Sequence, residues 1–257
     1  MSADPRSPFP IREDPMQREY HRWPSESLGR DMELLAFGHA GPRVLVFPTR
    51  VGRFFDYENW GLVDTLRPRI EAGDLQLFCL DSIDDEALYA AWMNPADRMR
   101  RQRAYEEYVL REVMPLTRKL NPHIEMWAHG CSFGAYHAMT LALRHPQYFS
   151  RIISFSGRYD PTLNTGSFRD LLDGHYDDLV YHHAPSHFIP RLEDHERLEQ
   201  LRKLDITIVI GKEDAFLANN REFSEALHRK SIPHQYHEWD GEAHRAKFWC
   251  QMSVWYI

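Results

Sequence analysis

The sequence predicts an α/β domain: a central, mostly parallel sheet with an antiparallel N-terminal hairpin and helices on both faces. Three observations carry that prediction. Short, nearly continuous apolar runs recur along the chain, as strands covered on both faces require. Amphipathic stretches of helical length separate those runs, the alternation that builds parallel sheets. The hydrophobic and charged fractions, 43% and 27%, are ordinary for a globular chain, and 257 residues suffice to bury one large core.

Residues 1–18 are Pro-rich and charged and read as a surface arm, leaving 19–257 as the domain. EYHRWPS and DMELLAFGH read as two strands joined through the turn-forming SLGRD. RVLVFPT (43–49) is a β-branched run ended by proline. LQLFCLD (75–81), IEMWAHG (124–130), RIISFSG (151–157) and ITIVIGK (206–212) have the same character, and HQYHEWD (234–240) reads as a last, half-exposed strand. NWGLVDTLRPRIEAG and the long PADRMRRQRAYEEYVLREVMPLTRKL read as helices before the 75 and 124 strands. AYHAMTLALRH and NNREFSEALHRKS follow the 124 and 206 strands in the same way. Residues 158–205, rich in His, Asp and Pro, exceed a simple crossover and read as a small insert of short helices ending in EDHERLEQLRKL. Ligands of such sheets sit outside the carboxyl ends of the strands, so this insert is placed over the active-site end to wall a pocket.

Composition also excludes functions. A net charge of −7 draws no polyanion, and no apolar stretch approaches the roughly 20 residues of a membrane helix. Neither a nucleic-acid nor a membrane partner is therefore expected. MSADPRSPFPIREDP has no apolar core of a secretory signal, and Cys79, Cys131 and Cys250 are odd in number and far apart. Both features point to the cytoplasm. Oligomeric state is not written in the sequence.

The chemistry concentrates at Gly130-Cys131-Ser132-Phe133-Gly134, a G-x-S-x-G motif with a strand before it and a helix after it. A sharp strand-to-helix turn presents its middle residue above the sheet, and packing is so close that glycine must fill the positions two either side. The helix N-terminus then favours developing negative charge. A serine hydroxyl needs a base to take its proton, and the base needs a carboxylate to orient it. GKEDAFLANN puts Asp214 in the loop after the 206 strand, with Glu213 and Asp240 as rivals. WDGEAHRAKFW puts His244 in the last loop, whereas His234 and His237 lie in the last strand. An oxyanion hole is expected from the backbone N–H of Phe133 and of Arg50, with Val51 as the second choice. Phe54, Phe55, Tyr57 and Trp60, in the loop after the 43–49 strand, are expected to line the substrate pocket.

Other readings are weaker. His182, His183, His187 and His175 invite a metal, but Pro185 interrupts helical spacing and no cysteine or acid completes a known ligand set. Cys131, beside the serine, reads as a buried filler rather than an active thiol.

HGCSFGAYHAMTLALRHP, GKEDAFL and IPHQYHEWDGEAH resemble the putative-esterase branch of the α/β-hydrolase fold, which includes S-formylglutathione hydrolase (esterase D), the mycolyltransferase antigens and feruloyl or acetylxylan esterases. The resemblance runs from about residue 19 to the end. It implies Ser132 as nucleophile, Asp214 as acid and His244 as base, with a small-molecule ester or thioester as substrate and neither cofactor nor metal. Thr49 stands where the family often has glycine before the second oxyanion donor. The alternatives are acyl transfer on the same three residues and a non-catalytic binding protein of the same fold.

Overall fold

The computed structural model describes residues 16–257. Of the expected arm, residues 1–15 lie outside the described residues, and Arg18 already opens the first strand. The strands are β1 (Arg18–Ser25), β2 (Arg30–Phe37), β3 (Arg43–Phe47), β4 (Gln76–Leu80), β5 (Met126–Cys131), β6 (Arg151–Phe155), β7 (Asp205–Gly211) and β8 (Gln235–Trp239). They form one sheet in the order β1-β2-β4-β3-β5-β6-β7-β8. β2 runs antiparallel to β1 and to β4, and every other neighbouring pair is parallel.

The helices are α1 (Asp56–Asn59), α2 (Leu62–Glu71), α3 (Pro95–Tyr108), α4 (Met114–Leu120), α5 (Phe133–Arg144), α6 (Asp178–His182), α7 (Pro185–Arg191), α8 (His195–Leu201), α9 (Leu217–Arg229) and α10 (Ala246–Tyr256). Along β3, Val44 and Val46 join one apolar cluster while Leu45 and Phe47 join the other. Tyr105, Met139 and Phe223 of α3, α5 and α9 cover the second face, and Leu62, Ile70 and Met252 of α2 and α10 cover the first. Burial on both faces is why the strand sequences are apolar throughout instead of alternating. Each such side chain contributes about 1.5–3 kcal/mol relative to exposure.

The sequence predicts one helix over 95–120, but the chain forms α3, a wider π turn over Val109–Val113, and then α4. Pro115 accounts for the difference, because it offers no N–H to the preceding turn and its ring crowds that turn's carbonyl. Residues 158–205 carry three short helices, α6 to α8. Glu106 of α3 ties α6 down: the buried carboxylate accepts hydrogen bonds from Arg144 and lies 2.8 Å from His145 Nε2 and 3.2 Å from His183 Nε2. Burial alone would raise its pKa, but His145, His183 and Arg144 together hold it well below the usual carboxylate range. Among the described residues, no helix is long and apolar enough to cross a membrane.

His129 on β5 is fully buried, with Nδ1 2.9 Å from the Ile153 carbonyl and Nε2 3.0 Å from the Tyr57 hydroxyl. Burial pushes its pKa down to about 4. An unfolded histidine titrates near 6.5, so between those values the unfolded chain binds a proton that the folded chain refuses. The stability linked to this group is complete above about pH 6.5 and is lost as pH falls toward 4, up to about 3 kcal/mol. Denaturant unfolding at pH 7 and pH 5 should show that loss, and His129→Gln should shrink it. An undiminished loss in the variant would assign the acid sensitivity to other groups.

Candidate active site

β5 passes into α5 without a loop, and Ser132 takes φ 57° and ψ −120° at the junction. A residue with a Cβ is strained there by about 1–3 kcal/mol. The Ser132 N–H donates to the Phe155 carbonyl at 2.8 Å, fastening the turn to β6. A Cβ on Gly130 would stand 2.2 Å from the Gly134 carbonyl carbon, and one on Gly134 would stand 2.2 Å from the Phe47 carbonyl oxygen. Only glycine at both places lets α5 approach β3 and β5 this closely.

Asp214 follows the end of β7 and His244 the end of β8, both at the carboxyl edge where β5 delivers Ser132. His244 Nδ1 lies 2.7 Å from Asp214 Oδ2, and His244 Nε2 lies 2.9 Å from Ser132 Oγ. The second Asp214 oxygen accepts the Phe216 N–H at 2.9 Å, which leaves the carboxylate one orientation. Its side chain is 1% exposed, against 17% for His244. The rivals point elsewhere. Asp240 is paired with Lys212 on the surface, Glu213 is exposed, His234 bonds Ser224, and His237 packs on the Tyr256 ring.

The loop after β3 supplies backbone donors. Among the described residues, the N–H groups of Arg50 and Phe133 have no hydrogen-bond acceptor. The Val51 N–H, by contrast, donates to Asp84 Oδ2 at 2.9 Å, with Val51 at φ 54°. Asp84 is 1% exposed; its other oxygen lies 3.0 Å from His137 Nε2, and His137 Nδ1 lies 3.3 Å from Gln102 Nε2. The loop is thereby braced against α3 and α5 through a buried polar chain. Asp84 escapes sequence reading, since nothing in DSIDDE separates it from Asp85 beside it.

The cleft at Ser132 encloses about 270 Å³, and Tyr89, Arg158, Phe168, Phe216 and Trp249 form most of its wall. The four aromatics expected there are not among its lining residues. Phe54 and Tyr57 are buried in the core shared by α2 and α10, and Phe55 and Trp60 pack against that core. Asp81, just after β4, accepts the Phe54 N–H and the Arg53 Nε–H and draws this loop down onto the sheet, away from the cleft. Cys131 is 3% exposed in the same core, and burial pushes its thiol well above the ordinary value. Of the insert's histidines, His175 lies beside Asp177, His183 beside Glu106 and His187 beside Asp160.

Sheet order, elbow and the three edge loops define the class, an α/β-hydrolase fold. Solved structures agree. The chain is similar to a ferulic acid esterase (TM-score 0.73, 16% identity, covering 94% of this chain and 96% of that one). It is similar also to an S-formylglutathione hydrolase from Staphylococcus aureus (TM-score 0.65, 16% identity, 93% of each chain). A fluorophosphonate-binding serine hydrolase from the same organism gives a TM-score of 0.70 at 16% identity, over 94% of this chain and 98% of that one. Identities this low carry the fold alone. Among curated proteins no sequence matches. The putative esterase family model matches residues 58–254, and the chain belongs to that family. It is a carboxylic ester hydrolase.

The Asp84 brace has a measurable consequence. Asp84→Ala should lower kcat on an aryl ester roughly tenfold by freeing the Val51 turn, a part of the cost of losing a donor outright. KM should change little. Steady-state kinetics check this, and an unchanged kcat would mean the loop holds its shape without the carboxylate.

Proposed function

We propose that the protein is a serine hydrolase that cleaves small oxygen esters and thioesters through an acyl-Ser132 intermediate. The observation that supports this most is the unbroken path Asp214 Oδ2, His244 Nδ1, His244 Nε2, Ser132 Oγ, with both gaps at hydrogen-bond length. In the resting state His244 donates its Nδ1–H to Asp214 and accepts a hydrogen bond from the Ser132 hydroxyl at Nε2. Ser132 Oγ attacks the ester carbonyl as that proton moves to His244, and Asp214 stabilises the imidazolium. The oxyanion accepts from the N–H groups of Phe133 and Arg50; the N–H of Val51 is already committed to Asp84. His244 then protonates the leaving alcohol or thiol. Water, deprotonated by His244, attacks the acyl-enzyme and releases the acid.

A cleft of about 270 Å³ lies just below the usual range for ligand pockets and suits small substrates. Its aromatic wall suits an aryl or short acyl group. The likeness to an S-formylglutathione hydrolase supports thioesters as substrates beside oxygen esters. We assign 19–257 as the hydrolase domain, with the 158–205 insert contributing Arg158 and Phe168 to the pocket. The cysteines are free thiols, which suits a cytoplasmic enzyme.

Ser132→Ala should keep the wild-type circular dichroism spectrum and lose nearly all turnover of aryl esters and thioesters. Retained turnover would put the nucleophile elsewhere. Asp214→Asn should also fold, with kcat reduced on the order of 10⁴-fold because the base loses its orientation.

A further inference from the structure

Two arginines, Arg50 and Arg158, line the cleft beside Ser132, and no aspartate or glutamate does. This reverses the balance of a chain whose net charge is −7. Arg50 is exposed, its guanidinium 5.6 Å from the centre of the Tyr89 ring. Arg158, just beyond β6, is only 2% exposed and lies 5.7 Å from the centre of the Phe216 ring. Among the described residues neither guanidinium has a carboxylate within 4.0 Å. The acid nearest Arg158 in sequence, Asp160, is taken up by Thr162 and His187, and Asp173 by Arg98.

Arg158 is held still but not neutralised. Its Nε donates to the Asp160 carbonyl, and Nη2 donates to the carbonyls of Pro161, Leu163 and Arg169 at 2.8–3.0 Å. Nη1 makes no hydrogen bond of ordinary geometry among the described residues, and the polar side chain beside the guanidinium is the uncharged Tyr89 hydroxyl. Fastening a loop by its carbonyls needs N–H donors but no positive charge, and burying that charge carries a desolvation cost. A fixed cation with no carboxylate partner, beside a largely aromatic cavity that a second arginine also lines, is a site still short of its anion. Charge-assisted hydrogen bonds are strongest where water is excluded, and low-dielectric walls focus the field of Arg50 at the entrance.

We infer that the cleft selects esters carrying a carboxylate, with Arg158 Nη1 receiving one carboxylate oxygen and Arg50 drawing the anion in. The inference rests on the ester-hydrolase reading above and names the substrate class for that site. The small cavity requires the carboxylate to stand within a few bonds of the scissile carbonyl, on the acyl or the alcohol part.

Two matched pairs of esters test it and separate the two placements. On the acyl side, phenyl hemiadipate is compared with its terminal amide. On the alcohol side, para-(carboxymethyl)phenyl acetate is compared with its amide. Wild type should favour the charged member of at least one pair by roughly tenfold or more in kcat/KM. That ratio should fall toward unity in Arg158→Gln and survive in part in Arg158→Lys. Because the ratio is taken within each variant, a general loss of rate from a loosened 160–169 loop cancels. Ratios near unity in wild type, or a ratio unchanged in Arg158→Gln, overturn the inference and leave the esterase reading standing, since the neutral esters are still cleaved. Failure of wild type to cleave any of the four esters removes the esterase reading and this inference with it. Should Arg158→Gln not fold, product inhibition of wild type decides. Competitive inhibition by adipate or para-hydroxyphenylacetate well beyond that of the corresponding amides supports the inference, and equal inhibition overturns it.

Discussion

Ser132 stands in a backbone conformation that side chains avoid, and most of what surrounds it keeps it there. α5 lies against β3 and β5 so closely that a single methyl at position 130 or 134 would collide with main-chain atoms. That approach brings the first N–H of α5 beside the loop that leaves β3. Strain at one residue, offset by the packing of a whole helix on a whole sheet, is how a flexible hydroxyl becomes a fixed one. A loop of ordinary turns, free to relax, would let the same serine rotate away.

Around that point the fold repeats one device, a buried polar group that removes a degree of freedom from an edge loop. Asp214 is oriented by the Phe216 N–H, the Val51 turn by Asp84, and the elbow by the Phe155 carbonyl. Glu106 does the same at a distance for α6, through His183 and through Arg144, which donates to the His182 carbonyl. In the proposed mechanism these contacts are made before substrate arrives, so the donors need not reorganise as charge develops. The cleft thus combines a rigid polar rim with an aromatic wall and an unneutralised positive charge.

The sheet is legible in the sequence because burial on both faces forces apolar runs that little else requires. β3 to β7 therefore stand out, and the elbow is legible because its glycines follow from contacts within one strand, turn and helix. Positions 214 and 244 can be read because each lies just past a recognisable strand, so topology alone brings them to the edge that holds Ser132. The cleft wall is another matter. Tyr89, Phe216 and Trp249 come from three separate segments and Arg158 and Phe168 from a fourth, and no local spacing announces that they meet. Phe54, Phe55, Tyr57 and Trp60 mislead for the converse reason: they lie next to the site in sequence, but Asp81 pulls their loop onto the core. Pro115, visible in the sequence, interrupts a helix whose amphipathic pattern runs straight through it.

In the proposed mechanism Ser132, Asp214, His244 and the N–H groups of Phe133 and Arg50 form one acyl-transfer centre. A crystal structure of the enzyme after reaction with a fluorophosphonate addresses all five groups at once. Phosphorus should be bonded to Ser132 Oγ, with the phosphoryl oxygen within hydrogen-bond distance of both N–H groups and His244 still seated on Asp214. An unmodified Ser132, or an adduct whose oxygen faces away from residues 50 and 133, would contradict this mechanism.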